Sequence, residues 1–408
     1  MKKHLLIALT FALLIVFPTT APAFDVGPFS IGGAMRANYT VGDYGPELDN
    51  RPSRAEEDGG SVNLDTFRIN IGYEQGSWIG KLEYRFYPGY GTNNHDSYHF
   101  LHTGWIGYNF ADQSQIQVGV NRVPFGPGAW GISQSWMFDQ HYYVGLADDM
   151  DFGVKYSKPL GNLKLDFAYY FSDEGSYYGE NFSRDSVRYS YDVVDETGDG
   201  YQERHQFNVR AIYTMKSGDV STDLGASLQY GQLESNGPQD DGEHYAASVH
   251  AVTTWGNWKL APQLTYYKYD VDDDQPLGTD KLVQFGAFDF PTLVAAEAWI
   301  PAVSLSYTLK TPQLEWLDYV VPYVEYSAIV KEENSFNDSE MIVLGAAFAS
   351  GGWYIYADLA YSNGNDFVGN EVGYGSPSFA PVWTSNRFGA NPTNEWEYRF
   401  NINFGYYF

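Results

Sequence analysis

The chain of 408 residues contains no cysteine, is poor in bases and has no apolar run long enough for a membrane-spanning helix. Without cysteine there can be no disulfide scaffold, thiolate zinc site, iron–sulfur cluster or thiol nucleophile. Lys and Arg number 24 against 51 Asp and Glu, a net charge of −27, which argues against a nucleic-acid binder with basic patches. The mean hydropathy of −0.37 argues against a bundle of transmembrane helices, each of which needs roughly 20 apolar residues. What the chain does have is 42 Gly, 35 Tyr, 26 Phe and 11 Trp. Disordered chains are aromatic-poor, so this composition points to a folded, aromatic-rich, acidic protein.

Residues 1–23 read as a secretory leader. Lys2, Lys3 and His4 precede an apolar stretch from Leu5 to Phe17, and Ala21-Pro22-Ala23 is a small-residue cleavage site. Residues 24–408 are then expected to form one domain.

From Gly27 onward, apolar and polar residues alternate with period two in segments of about ten. Phe67, Ile69, Ile71 and Tyr73 share one face, with Arg68, Asn70 and Gly72 on the other. Phe207, Val209, Ala211 and Tyr213 alternate with Gln206, Asn208 and Arg210, and Trp396 to Phe408 repeats the pattern. A strand sends such residues to one side, whereas a helix would scatter them. About 16 such segments occur. Their connections alternate between short turns such as Gly161-Asn162 and long stretches such as 42–61, 124–150, 173–203 and 270–293.

Short turns at one end and long loops at the other are the layout of a transmembrane antiparallel β-barrel of the bacterial outer membrane. A lipid-spanning sheet must close because lipid offers an open edge no hydrogen-bond partner. A β-sandwich or propeller is the soluble alternative. Tyr39, Tyr73, Tyr87, Tyr108, Tyr169, Tyr170 and Tyr230 lie near strand ends, where aromatic girdles are expected. The alternating aromatic strand ending at Phe408 resembles the terminal signature of Gram-negative outer-membrane proteins.

By alternation, Arg36, Arg68, Lys81, Arg85, Arg122, Lys155, Arg204, Arg210 and Arg399 face inward, with Glu83 and Asp166 among them. Charges are costly against lipid, so these residues should line a wet lumen. The loops 42–61, 173–203 and 270–293 together hold 21 acids and 5 bases. Such acidic loops suit divalent cations and cross-linking to lipopolysaccharide. Asp195, Thr197 and Asp199 form the D-x-T-x-D start of a calcium loop, but Gln206 stands where the closing Glu belongs. No other cofactor is expected.

The stretch 124–150 is the longest apolar, aromatic connection, and exposed loops are seldom so apolar. Folding it into the lumen explains that composition. Trp130, Trp136, Phe138, Tyr142 and Tyr143 would line the constriction, and Asp139, Asp148 and Asp149 would face the arginines. Pro124-Phe125-Gly126 after a Gly-containing strand resembles the segment that enters the third loop in the phosphate-selective porin O/P-type superfamily. That resemblance implies a 16-stranded homotrimeric porin with a constricting third loop. The chain departs from it in having no Lys or Arg in 124–150.

The expected function is passive diffusion of small hydrophilic solutes or ions through the barrel. One alternative is a solute-specific channel for an oligosaccharide, anion or aromatic acid, using the aromatic third loop. A more distant one is an outer-membrane barrel hydrolase, for which His141 and His205 are the candidate histidines. Small outward residues of the first strand, Gly33 and Ala37, would suit subunit packing.

Overall fold

A computed structural model describes residues 24–44, 59–88, 97–175, 188–195, 198–288, 290–369 and 386–408. The leader read in residues 1–23 lies outside the described residues. Sixteen strands form the wall: β1 (Phe29–Gly42), β2 (Ser61–Gln75), β3 (Trp78–Pro88), β4 (Ser97–Asn109), β5 (Gln115–Arg122), β6 (Met150–Leu160), β7 (Leu163–Asp173) and β8 (Tyr201–Ser217) make the first half. The second half is β9 (Val220–Ser235), β10 (Gly242–Trp255), β11 (Trp258–Asp270), β12 (Glu297–Tyr307), β13 (Tyr319–Lys331), β14 (Ser339–Ser350), β15 (Trp353–Ser362) and β16 (Glu397–Tyr407). Each pairs antiparallel with its neighbours, and β1 pairs with β16 to close the ring. Two short strands, Phe24–Val26 and Leu309–Lys310, flank β1 and β13.

The burial pattern is that of a lipid-facing wall. Outward Leu228, Val249 and Leu344 are about 60 % exposed. Inward Asn208, Gln229, Asn38 and Asn403 are buried and hydrogen-bond across strands, Asn208 Nδ2 to Gln229 Oε1 at 2.9 Å and Asn403 Nδ2 to Asn38 Oδ1 at 2.7 Å. Apolar outside and polar inside inverts the order of a soluble sandwich, and the closed ring removes that alternative. Buried amides without partners would be costly, so the cross-strand ladder holds the inner surface together.

The short connections are tight hairpins. Gly76 and Gly161 sit at the first central position with positive φ, the backbone that a two-residue type II′ turn requires. Gly33 leaves room for the C-terminal residue. The Phe408 ring lies over it, Gly33 N donates to Phe408 O at 2.8 Å, and Phe408 N donates back to Gly33 O at 3.1 Å.

Two of the rings assigned to girdles point inward. Tyr87 is buried and stacks on Phe100, and Tyr170 is buried with its hydroxyl on Asn121. The period of two places Tyr87 with Arg85 and Tyr170 with Ala168, both inward residues. Proximity to a strand end was the wrong criterion for them.

The long connections are partly structured. Strands Arg188–Val193, Leu282–Phe288 and Phe290–Ala295 form a separate three-stranded sheet. Residues 188–195 are entirely buried, so this part of an acidic loop is packed rather than solvated.

Candidate functional site

The third long loop, between β5 and β6, is fastened to wall residues far along the chain. Gly126 N donates to Ser227 Oγ on β9 at 3.1 Å, and Arg210 on β8 donates to Gly126 O at 3.2 Å. Ser133 Oγ and Gln134 N both donate to Glu325 on β13, at 2.7 and 2.5 Å. Trp136 N donates to Asp358 on β15 at 3.0 Å, and Gln140 N to Ser327 on β13 at 3.1 Å. The loop therefore crosses from β5 to the opposite wall.

His141 adds another anchor. Its Nδ1 lies 2.7 Å from Asp139 Oδ1 and its Nε2 lies 2.8 Å from Thr265 Oγ1 on β11. The order Thr–His–Asp has the connectivity of a nucleophile triad. All three side chains are buried, however, so a substrate cannot reach the hydroxyl. His205, the other candidate, bonds the Tyr169 hydroxyl on the exposed outer face.

Between the loop and the wall lies a cavity of about 840 Å³. Trp130, Trp136, Phe138, Tyr142 and Tyr143 border it, and Arg36, Arg68, Arg85 and Arg399 face it from adjacent strands β16, β1, β2 and β3. The aromatics divide by environment. Phe138 and Tyr142 stack at 4.3 Å, and Tyr143 stacks on Phe388 at 5.2 Å, so they pack the loop. Trp130 stays exposed. Trp136 carries the Arg399 guanidinium 4.9 Å from its ring centre.

The arginines are held in fixed positions. Arg36 pairs with Asp65 at 2.9 Å, while Glu83 Oε1 takes both Arg85 at 2.6 Å and Arg68 at 3.2 Å. Lys81 sits 3.8 Å from the other Glu83 oxygen. Arg399 donates to Asn401, Thr40 and Phe367 O rather than to an acid. Four bases here share two acids and Arg399 pairs with neither, so this wall carries excess positive charge. Elsewhere, Arg122 pairs with Asp148 at 2.7 Å, Arg210 pairs with Asp166 at 2.8 Å, and Lys155 donates to Arg122 O at 2.6 Å.

Of the three loop acids expected to face arginines, only Asp148 does. Asp139 turns to His141. Asp149 turns away into a buried group with Asp151 and Asp192, where burial first, and then neighbouring Glu203 and Glu174, pushes its carboxyl well above the usual range. Asp195 Oδ1 accepts from Gly198 N and Gly200 N, and its Oδ2 accepts from Asn236. Its carboxylate thus closes a turn. Asp199 accepts a bond from Gln239 through its backbone oxygen. Thr197 lies outside the described residues.

Several residues of the site break the alternation. Across β1 and β2, Arg36 pairs with Thr66 and Ala37 with Leu64, so Asp65 is the extra residue of a bulge. Asp65 and Thr66 are consequently both buried, and Asp65 reaches Arg36. A second bulge across β3 and β4 buries His102 beside Thr103, near Glu83. A third, between Arg204 and Phe207, turns Arg204 outward to Glu234 at 3.0 Å, contrary to its expected place in the lumen. One inserted residue reverses the facing of everything beyond it. Tyr189 and Tyr191 also border the cavity, and Arg85 lies 4.4 Å from the Tyr189 ring centre. They come from the loop strand 188–193, where Tyr189, Tyr191 and Val193 alternate with Arg188, Ser190 and Asp192 although both faces are buried.

No protein-family model matches the chain, and no curated protein matches it. Solved structures do. The outer membrane channel DcaP of Acinetobacter baumannii aligns with a TM-score of 0.58 at 12% identity, over 95% of this chain and 100% of that one. Outer-membrane expressed OmpT of Vibrio cholerae gives 0.52 at 13% identity, again over 95% and 100%. The anion-selective porin from Comamonas acidovorans gives 0.52 at 13%, over 93% and 99%. At these identities the likeness is one of fold: the chain shares a 16-stranded barrel architecture with outer-membrane channels.

Proposed function

We propose that this protein is an outer-membrane porin through which small hydrophilic solutes diffuse passively, with a preference for anions. The observation that carries this is the constriction itself. A folded-in loop narrows the barrel opposite a wall where Arg36, Arg68, Lys81, Arg85 and Arg399 outnumber Asp65 and Glu83. An arc of fixed positive charge along one side of a narrow aqueous passage attracts anions and repels cations. The likeness to an anion-selective porin supports the same reading. So does the Pro124-Phe125-Gly126 resemblance to phosphate-selective porins, with the bases supplied here by the wall rather than the loop.

Recording the purified full-length protein in planar bilayers tests this. We expect stepwise conductance and a reversal potential of anionic sign in a potassium chloride gradient. Cation preference, or no channels from folded protein, refutes it. The solute-specific alternative is favoured by one arrangement, the cavity walled by arginines on one side and by Trp130, Trp136 and Tyr142 on the other. This suits a small anionic, ring-bearing solute. Benzoate-type anions should then block the current at concentrations where acetate does not. The homotrimer is part of the proposal, supported by the trimer form of OmpT, and is tested by cross-linking in detergent.

A further inference from the structure

We propose that Asp149, Asp151 and Asp192 form a buried divalent-cation site, suited to calcium, that ties the end of the third loop and the start of β6 to the loop strand 188–193. One carboxylate oxygen from each lies within 4.8 Å of the others. That is the widest separation at which oxygens on opposite sides of a calcium ion can both bind it, given metal–oxygen distances of about 2.4 Å.

Proximity of acids alone would mean little. The second observation is a set of buried oxygens with no hydrogen-bond partner. Asp149 Oδ1, Asp151 Oδ1 and Glu174 Oε2 lack one, as does the amide oxygen of Gln206, whose Nε2 donates to Asp151 Oδ2 at 3.0 Å. All four residues are more than nine-tenths buried. Buried polar atoms normally find partners, and all four of these are acceptors, which a donor or a cation would satisfy.

The remaining contacts orient the group without satisfying it. Glu174 Oε1 accepts from Tyr189 N and Ser190 N at 3.2 and 2.9 Å, and Glu203 Oε1 from Val193 N at 2.9 Å. Arg188 pairs with Asp173 at 3.1 Å and Asp192 at 3.4 Å, one cation among six acids. The donors are all oxygens, carboxylate and amide, which selects a hard cation. Magnesium gives up its water shell reluctantly, whereas calcium accepts irregular sets of protein oxygens. Neighbouring Asp148 contacts Arg122 and the Tyr189 hydroxyl, the latter at 2.7 Å. A cation at this position would therefore also set the constriction.

The test is calcium titration by calorimetry on the full-length barrel in detergent after chelator washing. We expect one saturable site per chain, with affinity at least tenfold weaker in Asp192→Asn. Asp195→Asn and the triple variant Asp272→Asn, Asp273→Asn, Asp274→Asn should bind like the parent. No saturable site, or full affinity in Asp192→Asn, overturns the proposal. Terbium provides a readout on the unmutated protein should that variant fail to fold. Tyr189 and Tyr191 should sensitise its emission, and calcium should quench it by displacement. Absence of sensitised emission also overturns the proposal.

Discussion

Replacing Arg68 by Gln should weaken anion preference without disturbing the barrel. Arg68 shares Glu83 with Arg85 and Lys81, so its loss removes one of the excess positive charges while Glu83 keeps two partners. An ion about 6 Å from a unit charge in water interacts with it by roughly 0.7 kcal/mol. Screening by 0.1 M salt, with a Debye length of about 10 Å, reduces this to roughly 0.4 kcal/mol. An anion loses that attraction and a cation loses an equal repulsion, so the permeability ratio should fall about fourfold, at ~1.4 kcal/mol per factor of ten. Arg68→Glu doubles the charge change and should lower the ratio about fifteenfold by the same arithmetic. The assay is the reversal potential in a potassium chloride gradient. Arg204→Gln is the control, because its bulge turns it to the outer face. An unchanged ratio in Arg68→Gln, or an equal fall in Arg204→Gln, refutes the argument.

Glu325→Ala removes two acceptors of the third loop, the bonds from Ser133 and Gln134, each worth about 1.5–3 kcal/mol as a bond to a charged group. Chymotrypsin should then cut near Trp136 and Phe138, and unchanged resistance would show that the other anchors suffice. Trp136→Ala deletes the ring beneath Arg399 and widens the cavity, so single-channel conductance should rise; a fall would mean the ring does not limit the passage. Gly33→Val would place a Cβ 2.4 Å from Arg68 O and 2.9 Å from the Phe408 ring. Crowding of this kind costs about 1–3 kcal/mol, and a lower unfolding temperature of the barrel on gels should report it.

The barrel was legible in the sequence because one physical demand repeats in every strand. Residues meeting lipid must be apolar and residues meeting water can be polar, and the pleat turns that demand into a period of two. Arg36, Arg68, Arg85 and Arg399 were legible on the same ground. Some of what escaped breaks the period. Asp65 reaches the constriction through an inserted residue whose mark is the shift of apolar residues from Val62 and Leu64 to Phe67 and Ile69, and His102 comes beside Glu83 through a second bulge. Tyr189, Tyr191 and Asp192 escaped although their strand alternates, because its six residues lie in an acidic connection between β7 and β8 and pair in a separate sheet. The partner choices of Asp139 and Asp149 depend on where His141 and strand 188–193 come to rest, and only the folded chain decides that.

Asn38 bonds Asn403 from 365 positions away, and β1 meets β16 along nine consecutive pairs from Ala34–Tyr407 to Gly42–Arg399. The ring thus has one junction whose halves are made at opposite times during synthesis. Until the later half arrives, the earlier one presents an unsatisfied backbone row that could recruit any extended peptide. Shortening the chain by its last strand would leave an open sheet with two such rows, and polymerisation rather than a smaller pore would be the natural outcome.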